Sequence, residues 1–487
     1  MNEKPQTIRL FVFKILHDKQ HSCRIKCSMD GFSSFFAILM LCAGVFLTVR
    51  INFFQFTHLG CAIKTALGIG QKRSARSKQK FDASGVTPFQ ALSSALGGSI
   101  GTANIAGVAS AIAIGGAGAV FYMWLAALVG MGVKFCEIVL ALRYREKRGG
   151  QWCGGAMLYI EKGFKKSNTG SRFLQSVSKP LAAGFALFGL LASSVGTPLV
   201  QSNTIAMSVN DAVLLFLPKT EQKTVCIIAG AVTAALVGIV ILGGIQRIGK
   251  ASEIIVPFMA IGYIAICIIV LSRFGSRILP AFRDIFSGAL GIKQAVGGAA
   301  GFGAARALRI GMARGVYSNE AGVGSAPMAH ACANTNDPVK QGMYGIFEVF
   351  ADTIVMCTMT ALVVLASGIP LQAGGEISGT SIALRAFSTV LPERTTGIFL
   401  AVSMLLFAYT SLLGWAVYGM QCAKYLFGKR AQLPFCILYT VLTFAGALMK
   451  VDFVWTAGET LNYLMAAPNM LALLVLNREV RRETAFA

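Results

Sequence analysis

The fold is decided by two glycine-rich stretches that lie 200 residues apart. Residues 95–101 read Ala-Leu-Gly-Gly-Ser-Ile-Gly, and residues 295–301 read Ala-Val-Gly-Gly-Ala-Ala-Gly. Each interior glycine costs a helix about 1 kcal/mol relative to alanine, so neither stretch favours an unbroken helix. Both stretches lie within apolar runs, and a matched pair of glycine-interrupted apolar segments is typical of a binding site between two halves of a membrane protein. We therefore predict two broken helices that meet at such a site.

The composition is that of a membrane protein. Of the 487 residues, 55% are hydrophobic and only 13% are charged, whereas a soluble domain carries about 25% charged residues. Charge-free runs such as 225–245 and 254–271 have about the 20 residues that a helix needs to cross a bilayer. The sequence therefore predicts an all-α polytopic membrane protein with a single membrane domain.

The net charge of +23 does not indicate a nucleic-acid partner. The basic residues lie in loops between apolar runs, where positive-inside sorting places them. The 12 cysteines are scattered without a Cys-x-x-Cys pair, and the chain has only four histidines. We therefore expect no disulfide framework, no metal cofactor and no other cofactor.

The apolar runs predict about eleven spans. An extra N-terminal transmembrane helix at 31–58 precedes a five-plus-five inverted repeat, with the first repeat at 88–271 and the second at 286–476. Because five is odd, the second repeat enters the membrane from the opposite side. The predicted spans are 32–56, 88–113, 119–142, 181–208, 225–245, 253–271, 287–305, 342–366, 396–421, 433–449 and 454–476.

Loop charges predict the orientation. The loop at 57–87 is rich in Lys and Arg, and placing it inside also places the basic loops 143–179 and 306–340 inside. This arrangement puts the N-terminus outside and the tail at 477–487 in the cytoplasm of a bacterial-type inner membrane. The basic segment 1–30 conflicts with that placement.

Two explanations of this conflict remain open. Either the first span is inverted or incompletely inserted, or translation begins at Met29 and residues 1–28 are not made. We favour the second explanation.

An unwound stretch at 97–104 has definite chemistry. Its N–H and C=O groups need partners inside the protein or in a cavity. The half-helix that begins near Asn104 presents N–H groups and a positive dipole end, which suit a carboxylate. The carbonyls of Gly97 to Ile100 face the other way and suit a small hard cation. The alternative interpretation is that these glycines only let helices pack closely.

Four blocks of sequence resemble the alanine/glycine:cation symporter family. The blocks are the run Gly-Gly-Ala-Gly-Ala-Val-Phe-Tyr-Met-Trp at 115–124, the segment from Ser318 to His330, the run at 101–107, and Leu-Gly-Trp at 413–415. The likeness extends over about residues 32–480. It implies a fold similar to that of the sodium-coupled amino-acid transporters with five-plus-five inverted repeats.

The chain departs from the family pattern at two positions. Tyr122 stands where the family usually has Trp, and Ala103 stands where it often has Gly. The change at Tyr122 is mild. A Cβ at Ala103 narrows the approach of a ligand to the unwound turn, and it either tightens side-chain selectivity or weakens binding.

The resemblance also implies roles for individual residues. Backbone N–H groups of Thr102 and Ala103 would hold the substrate carboxylate, and Asn104 would orient the substrate or share in ion coordination. Phe302 and Trp415 would wall the side-chain pocket. The implied substrate-binding residues are Gly101, Thr102, Ala103, Asn104, Phe302, Gly303 and Trp415.

The resemblance implies a Na⁺ site built from hard oxygen ligands. The carbonyls of Gly97 and Ile100 would bind the ion together with the hydroxyls of Thr410 and Ser411. Alternatively, Thr410 and Ser411 bond back to their own helix, as such residues often do in membranes. Phe302 and Trp415 have a comparable alternative, which is ordinary packing.

Acidic residues within apolar runs are functional candidates by default. Glu348 and Asp352 lie about one helical turn apart in a predicted span, and they have either a proton or gating role or a structural hydrogen bond. We expect Glu137 to pair with Lys134, and Glu320 to brace a cytoplasmic loop.

Taken together, these features predict a secondary active symporter that imports alanine or glycine coupled to Na⁺ by alternating access. The partners would be the small amino acid, Na⁺ as coupling ion and the lipid bilayer, with the oligomeric state left open. The alternative is an H⁺-coupled amino-acid permease, motivated by Glu348 and Asp352. A membrane-embedded enzyme or a receptor-like protein is a remote alternative, because His330 has no evident nucleophile partner and no extramembrane domain is present.

Overall fold

The computed structural model describes residues 38–69, 85–166, 172–291, 300–370, 379–449 and 452–485, without the side chains of 300–302, 452–457 and 459. These residues are helical apart from turns and one two-stranded hairpin. The basic segment 1–30 and residues 297–299 lie outside the described ranges.

The helices of the first half begin with a short apolar helix and continue through a helix broken in its middle. They are α1 (Ile38–Arg50), α2 (Phe54–Thr57), α3 (Leu59–Ala66), α4 (Pro88–Ser99), α5 (Ala106–Gly115), α6 (Gly118–Tyr144), α7 (Ala156–Lys166), α8 (Arg172–Leu191), α9 (Thr197–Leu214), α10 (Gln222–Ile241), α11 (Gly244–Ser272) and α12 (Gly275–Ala289).

The second half has a similar order, with a second broken helix near its start. Its helices are α13 (Ala300–Asn319), α14 (Ala326–His330), α15 (Pro338–Val349), α16 (Thr358–Ser367), α17 (Gly379–Ser388), α18 (Glu393–Phe427), α19 (Gln432–Gly446) and α20 (Asp452–Ala485). Segments of π-helix at Ala192–Gly196 and Phe350–Cys357 join α8 to α9 and α15 to α16.

In the described part of the chain, seven helices are long and apolar enough to cross a membrane. They are Gly118–Tyr144, Arg172–Leu214, Gln222–Ile241, Gly244–Ser272, Pro338–Ser367, Glu393–Phe427 and Thr460–Ala485. The predicted class, an all-α polytopic membrane protein, is confirmed. The total of eleven spans stays a prediction, because it includes broken and short helices that do not meet this length.

The first broken helix, α4 and α5, starts at a strong local signal. The Thr87 hydroxyl accepts a hydrogen bond from Gln90 N at 3.1 Å, and Gln90 Oε1 accepts one from Thr87 N at 3.0 Å. With Pro88 at the first helical position, this capping box fixes where α4 begins. The helix stops at Ser99, and the next residue, Ile100, is extended. The predicted interruption at this place is present.

The predicted second interruption at 297–304 is described only in part, because residues 297–299 lie outside the described ranges. Residues 300–304 are helical, because α13 runs unbroken to Asn319. The helix stops instead at Glu320, Gly322 and Gly324, which have φ values of 53°, 83° and 84°. Glycine adopts such left-handed conformations readily, so the second broken helix consists of α13 and α14.

The two broken helices touch at one end. Val86 N donates to Cys332 O at 3.1 Å, and Asn334 N donates to Val86 O at 2.8 Å. Val86, two residues before α4, is thereby joined to the chain that leaves α14.

Helix α18 lies against the first broken helix at very short range. A Cβ added at Gly414 would lie only 2.6 Å from Gly98 N, so glycine is required for this approach. The contact places the residues around Ser411 and Trp415 beside the first interruption.

Several predicted limits do not coincide with helix ends. Residue 286 lies inside α12, and the described ends of the predicted span 287–305 belong to α12 and α13, while residues 292–299 lie outside the described ranges. The predicted tail at 477–487 is helical as far as Ala485, because α20 continues through it. The limits of the two repeats and of the extra N-terminal helix stay predictions.

A β-hairpin and a short helix follow α6 and are absent from the predicted spans. The hairpin pairs Glu146–Arg148 with Gln151–Cys153. Glu146 binds Arg148 at 2.5 Å and also binds Lys162 of α7. Partial burial would raise the pKa of Glu146, but the two cations outweigh it and hold that pKa below its ordinary value.

Candidate functional site

At the first interruption, a short run of backbone lies outside the regular α-helix. Gly101 is extended, with φ −135° and ψ −163°, and Thr102–Asn104 form one turn of 3₁₀-helix. The Gly101 N–H donates to Asn104 Oδ1 at 2.8 Å. The chain therefore leaves the regular helical pattern for about one turn before α5 begins.

A cavity of about 40 Å³ lies between this interruption and the second one. Helices α9 and α18 and the chain near Asn462 complete its wall. The lining residues are Gly98, Ser99, Gly101, Thr102, Ala103, Ala192, Gly196, Thr197, Val200, Gln201, Tyr317, Glu320, Ser411, Trp415, Gly458 and Asn462.

Five of the predicted site residues line the cavity: Gly101, Thr102, Ala103, Ser411 and Trp415. The first three come from the interruption, and the last two come from neighbouring turns of α18. The fold therefore brings together predicted site residues that are more than 300 positions apart in the chain, and these residues stay candidates for ligand binding.

Asn104 does not line the cavity. It is fully buried, and its side chain braces the interruption from behind. Asn104 Nδ2 donates to Asp352 Oδ1 at 2.7 Å, while its Oδ1 accepts the Gly101 N–H. Thr360 Oγ1 also donates to the Asn104 carbonyl at 2.8 Å.

Phe302 and Gly303 lie in the first turn of α13, away from the second interruption. The side chain of Phe302 lies outside the described part of the chain, so its role as a wall of the side-chain pocket stays a prediction. Gly303 is not among the described residues that line the cavity. From this part of the chain, Tyr317 and Glu320 line the cavity.

The four predicted Na⁺ ligands lie near one another, but they differ in their partners. A Cβ added at Gly97 would lie 3.1 Å from Thr410 O, and one at Gly101 would lie 2.8 Å from Ser411 Oγ. Thr410 Oγ1 donates to Leu406 O at 3.1 Å and to Phe407 O at 3.0 Å, within its own helix.

Ser411 Oγ behaves differently from Thr410 Oγ1. It is buried and has no hydrogen-bond partner among the described residues. Ile100 is also buried, at the edge of the interruption. Around the described residues there is no group of three His, Cys, Asp or Glu side chains that could hold a metal ion, so any cation here would rely on carbonyl and hydroxyl oxygens.

Glu348 and Asp352 belong to two different polar clusters. Glu348 Oε1 lies 3.2 Å from Lys134 Nζ, and its Oε2 lies 3.1 Å from His330 Nε2. Asp352 accepts hydrogen bonds from Asn104, from Ser318 Oγ at 2.8 Å and from Thr353 Oγ1 at 2.7 Å. Neither carboxylate lines the cavity.

The expected pairing of Glu137 with Lys134 is wrong, because Lys134 reaches across to Glu348 on α15. Glu137 Oε1 instead accepts a hydrogen bond from Asn469 Nδ2 at 2.5 Å. The same Asn469 amide donates to Gly322 O at 2.9 Å. Glu137 is thereby linked to the second interruption rather than to a surface loop.

Glu320 is the most important residue that the sequence analysis misplaces. It lines the cavity rather than bracing a loop at the membrane surface. Its Oε1 accepts from Trp415 Nε1 at 2.9 Å, and its Oε2 accepts from Ser325 Oγ at 2.6 Å. The glycines at 322 and 324, which closely follow this acid, are a signal that could have identified this interruption.

Gln201, Tyr317 and Asn462 are also absent from the sequence-based candidates. Thr102 Oγ1 donates to Gln201 Oε1 at 3.4 Å, which links α9 to the interruption. Gly196, in the π-helical segment before α9, lines the same cavity, and such segments are frequent at functional sites. Nothing in the local sequence of Gln201 or Asn462 indicates their position.

The arrangement offers two kinds of backbone group to a ligand. The N–H groups near the start of α5 carry partial positive charge, and the carbonyls at the end of α4 carry partial negative charge. A small ligand with both charges, or an ion together with such a ligand, matches a cavity of this kind. The cavity therefore has backbone groups that can bind a small ligand. The described residues of its wall include no His or Cys.

Comparisons with known proteins agree with this geometry. A sequence model of the sodium:alanine symporter family matches residues 25–485. The sodium/alanine symporter AgcS of Methanococcus maripaludis is 39% identical over 451 residues, which cover 92% of each chain. An uncharacterized transporter of Haemophilus influenzae is 38% identical over 450 residues, covering 92% of this chain and 91% of the relative.

A more distant relative is named for another substrate. The probable sodium/glutamine symporter GlnT of Bacillus subtilis is 34% identical over 450 residues, covering 92% of this chain and 86% of that protein. A crystal structure of MhsT in complex with L-phenylalanine aligns with 82% of this chain and 97% of that chain, at 13% identity and a TM-score of 0.46. On the family match and the identity of its relatives, this chain belongs to the sodium:alanine symporter family and is a cation-coupled amino-acid symporter of the membrane.

Proposed function

We propose that the protein imports a small neutral amino acid, alanine or glycine, together with Na⁺ by alternating access across a bacterial-type inner membrane. The N-terminus would lie outside and the C-terminus in the cytoplasm. The observation that carries the proposal is the unwound segment from Ile100 to Ile105, whose backbone borders a small cavity opposite a second interrupted helix.

The size of the cavity supports a small substrate. A single water needs roughly 10–15 Å³ of such space, so about 40 Å³ accommodates only a few atoms without movement of the wall. Trp415 and Tyr317 limit the space on the side of α18 and α13. These two aromatic side chains would restrict the size of a substrate side chain on that side.

The oxygen atoms around α4 and α18 support Na⁺ as the coupling ion. Ser411 Oγ is buried without a partner among the described residues, and it lies beside Gly101. The carbonyls of Gly97 and Ile100 are the nearby candidates for further ligands. Hard oxygen donors without a carboxylate suit a monovalent cation.

An H⁺-coupled mechanism remains the competing proposal, and the partners of Glu348 and Asp352, the two acids that motivate it, weigh against it. Glu348 is held by Lys134 and His330, and Asp352 is held by three donors. Both carboxylates already have structural partners, and neither borders the cavity.

The test is uptake of radiolabelled L-alanine by membrane vesicles, with Na⁺ and pH gradients imposed separately. We expect uptake to follow the Na⁺ gradient and to be inhibited by glycine but not by glutamine. Uptake that ignores Na⁺ and follows the pH gradient would establish the H⁺-coupled alternative. Inhibition by glutamine as strong as by glycine would reject the small-substrate assignment.

A further inference from the structure

Glu320 has no part in the function proposed above, although it lies in the cavity wall. It is 4% exposed. Among the described residues that line the cavity, Glu320 is the one with an ionisable acidic or basic side chain. A carboxylate so placed requires a positive partner or a set of hydrogen-bond donors.

The hydrogen-bond partners of Glu320 carry no charge, and the buried Lys134 attracts it only from beyond direct contact. The partners are the indole N–H of Trp415 and the hydroxyl of Ser325, which are both neutral donors. Lys134, the buried cation of this region, has its contact at 3.2 Å with Glu348. A carboxylate has about four acceptor sites, so two donors leave Glu320 able to accept further hydrogen bonds.

The backbone also directs this residue toward the cavity. Glu320 has a φ of 53°, a left-handed conformation that non-glycine residues adopt rarely and that clusters at functional sites. It follows directly on the C-terminal end of α13, where the helix dipole is negative. The negative charge of the carboxylate and the negative end of the α13 dipole therefore add, and they make this wall of the cavity electronegative.

The opposite wall has the opposite character. Thr102 and Ala103 lie just before α5, whose N-terminal N–H groups and dipole attract negative charge. A zwitterionic amino acid has a carboxylate and an ammonium group on one carbon. The two walls of the cavity match these two groups in sign.

We propose that Glu320 is the ammonium subsite of the transporter: its carboxylate receives the α-ammonium group of the substrate while the first interruption receives the substrate carboxylate. This inference rests on the proposed import of a small amino acid and adds the orientation of the substrate in the cavity. It also assigns a reason for the charge of Glu320, which Trp415 and Ser325 alone do not require.

Two substitutions separate charge from hydrogen bonding. In Glu320→Gln the amide can keep both present contacts, since its oxygen can accept from Trp415 and its nitrogen can donate to Ser325. Glu320→Asp keeps the charge on a shorter side chain. The matched control is Glu221→Gln, at an exposed position outside the cavity.

The experiment is equilibrium binding of radiolabelled L-alanine to the detergent-purified full chain at saturating Na⁺, with propionate, which lacks the ammonium group, as competitor. We expect wild-type protein to prefer L-alanine to propionate by at least tenfold. Glu320→Gln should weaken L-alanine binding by about 10- to 100-fold, the range for a charged hydrogen bond. Glu320→Asp should lose less, and neither change should weaken the binding of propionate, which has no ammonium group.

Several results would overturn the subsite. Glu320→Gln binding L-alanine within twofold of wild type would show that the charge is not used. A changed Na⁺ requirement with unchanged L-alanine affinity at saturating Na⁺ would make Glu320 a cation ligand. Propionate competing as well as L-alanine in wild-type protein would reject the subsite without any variant. If wild-type protein binds no L-alanine at all, the proposed substrate itself is rejected.

Discussion

Asn104 braces the first interruption although it does not line the cavity. Its side chain joins Gly101 on one side to Asp352 on the other, at 2.8 and 2.7 Å. Two helices that are distant in sequence are thereby fixed around one turn of irregular backbone. In a buried setting, such a network is worth more than its individual bonds suggest.

We predict that Asn104→Ala abolishes L-alanine uptake. The change leaves the Gly101 N–H and one oxygen of Asp352 without their buried partner, at a cost of about 2–4 kcal/mol. Uptake in vesicles should be normalised to the amount of inserted protein. The matched control is Asn203→Ala, because Asn203 makes a solvent-exposed hydrogen bond to Met449 O. Normal uptake by the Asn104 variant would contradict the bracing role.

Ser411 is a better candidate for a cation ligand than its neighbour Thr410. We predict that Ser411→Ala raises the Na⁺ concentration for half-maximal uptake by about tenfold, equivalent to ~1.4 kcal/mol. Thr410→Ala should have a smaller effect, because its hydroxyl proton is already engaged with its own helix. Uptake measured over a range of Na⁺ concentrations checks both, with Ser403→Ala on the same helix as control. An unchanged Na⁺ dependence in both variants would place the cation elsewhere.

The sequence identified the first interruption because its signals are local. Thr87, Pro88 and Gln90 define the helix start, and clustered glycines precede the irregular turn at Gly101. The role of Asn104 was not predictable in this way, since it depends on a partner 248 positions away.

At the level of elements, glycine has two structural roles in this chain: it allows close packing of helices, and it interrupts a helix. The number of glycines in a stretch of sequence does not distinguish the two roles. Within α13, a Cβ at Gly311 would lie 2.2 Å from Ala119 O, and one at Gly315 would lie 2.9 Å from Ala126 Cβ. These glycines allow α6 to pack closely against α13. The glycines at 322 and 324 instead adopt positive φ and break the helix. Only the backbone conformation distinguishes close packing from interruption, which is why glycine content alone did not identify the break at 320–324.

The contact between α4 and α18 gives an element-level prediction. We expect Gly414→Ala to force these helices apart, because the new Cβ would lie 2.6 Å from Gly98 N and 2.8 Å from Ser94 O, both backbone atoms. The purified variant should unfold at a lower temperature and lose uptake. The control is Gly262→Ala in α11, where a Cβ meets no atom within 4 Å and where alanine favours the helix by about 1 kcal/mol. Equal melting temperatures for the two variants would contradict the close approach.

At the scale of the whole molecule, a buried ionic cluster ties both halves of the chain together. Lys134 of α6 contacts Glu348 of α15, which in turn contacts His330 at the end of the second broken helix. Gln341 Nε2 lies 2.8 Å from His330 Nδ1. These polar side chains are fully or almost fully buried, so removing one partner leaves an uncompensated charge.

We predict that Lys134→Met lowers the free energy of unfolding by about 3–5 kcal/mol, the usual cost of leaving a buried charge unpaired. The double variant Lys134→Met with Glu348→Gln should recover part of the loss, because the unpaired carboxylate is gone. Thermal melting of the purified proteins checks both. Lys165→Met is the control, since its pair with Glu161 is half-exposed and worth at most about 1 kcal/mol. A double variant no more stable than the single one would show that the charge pair is not the reason for the loss.

The last prediction concerns how strongly the whole protein can accumulate L-alanine. If one Na⁺ enters with each neutral zwitterion, each cycle moves one positive charge, and a potential of 100 mV supplies about 2.3 kcal/mol. A tenfold Na⁺ gradient adds about 1.4 kcal/mol. Together they sustain roughly 500-fold accumulation of L-alanine, whereas the gradient alone sustains about tenfold. Proteoliposomes with a K⁺ diffusion potential, imposed with and without a Na⁺ gradient, measure the two contributions separately. Accumulation that responds to the gradient and ignores the potential would mean that a compensating charge moves with each cycle, and the one-to-one coupling would have to be abandoned.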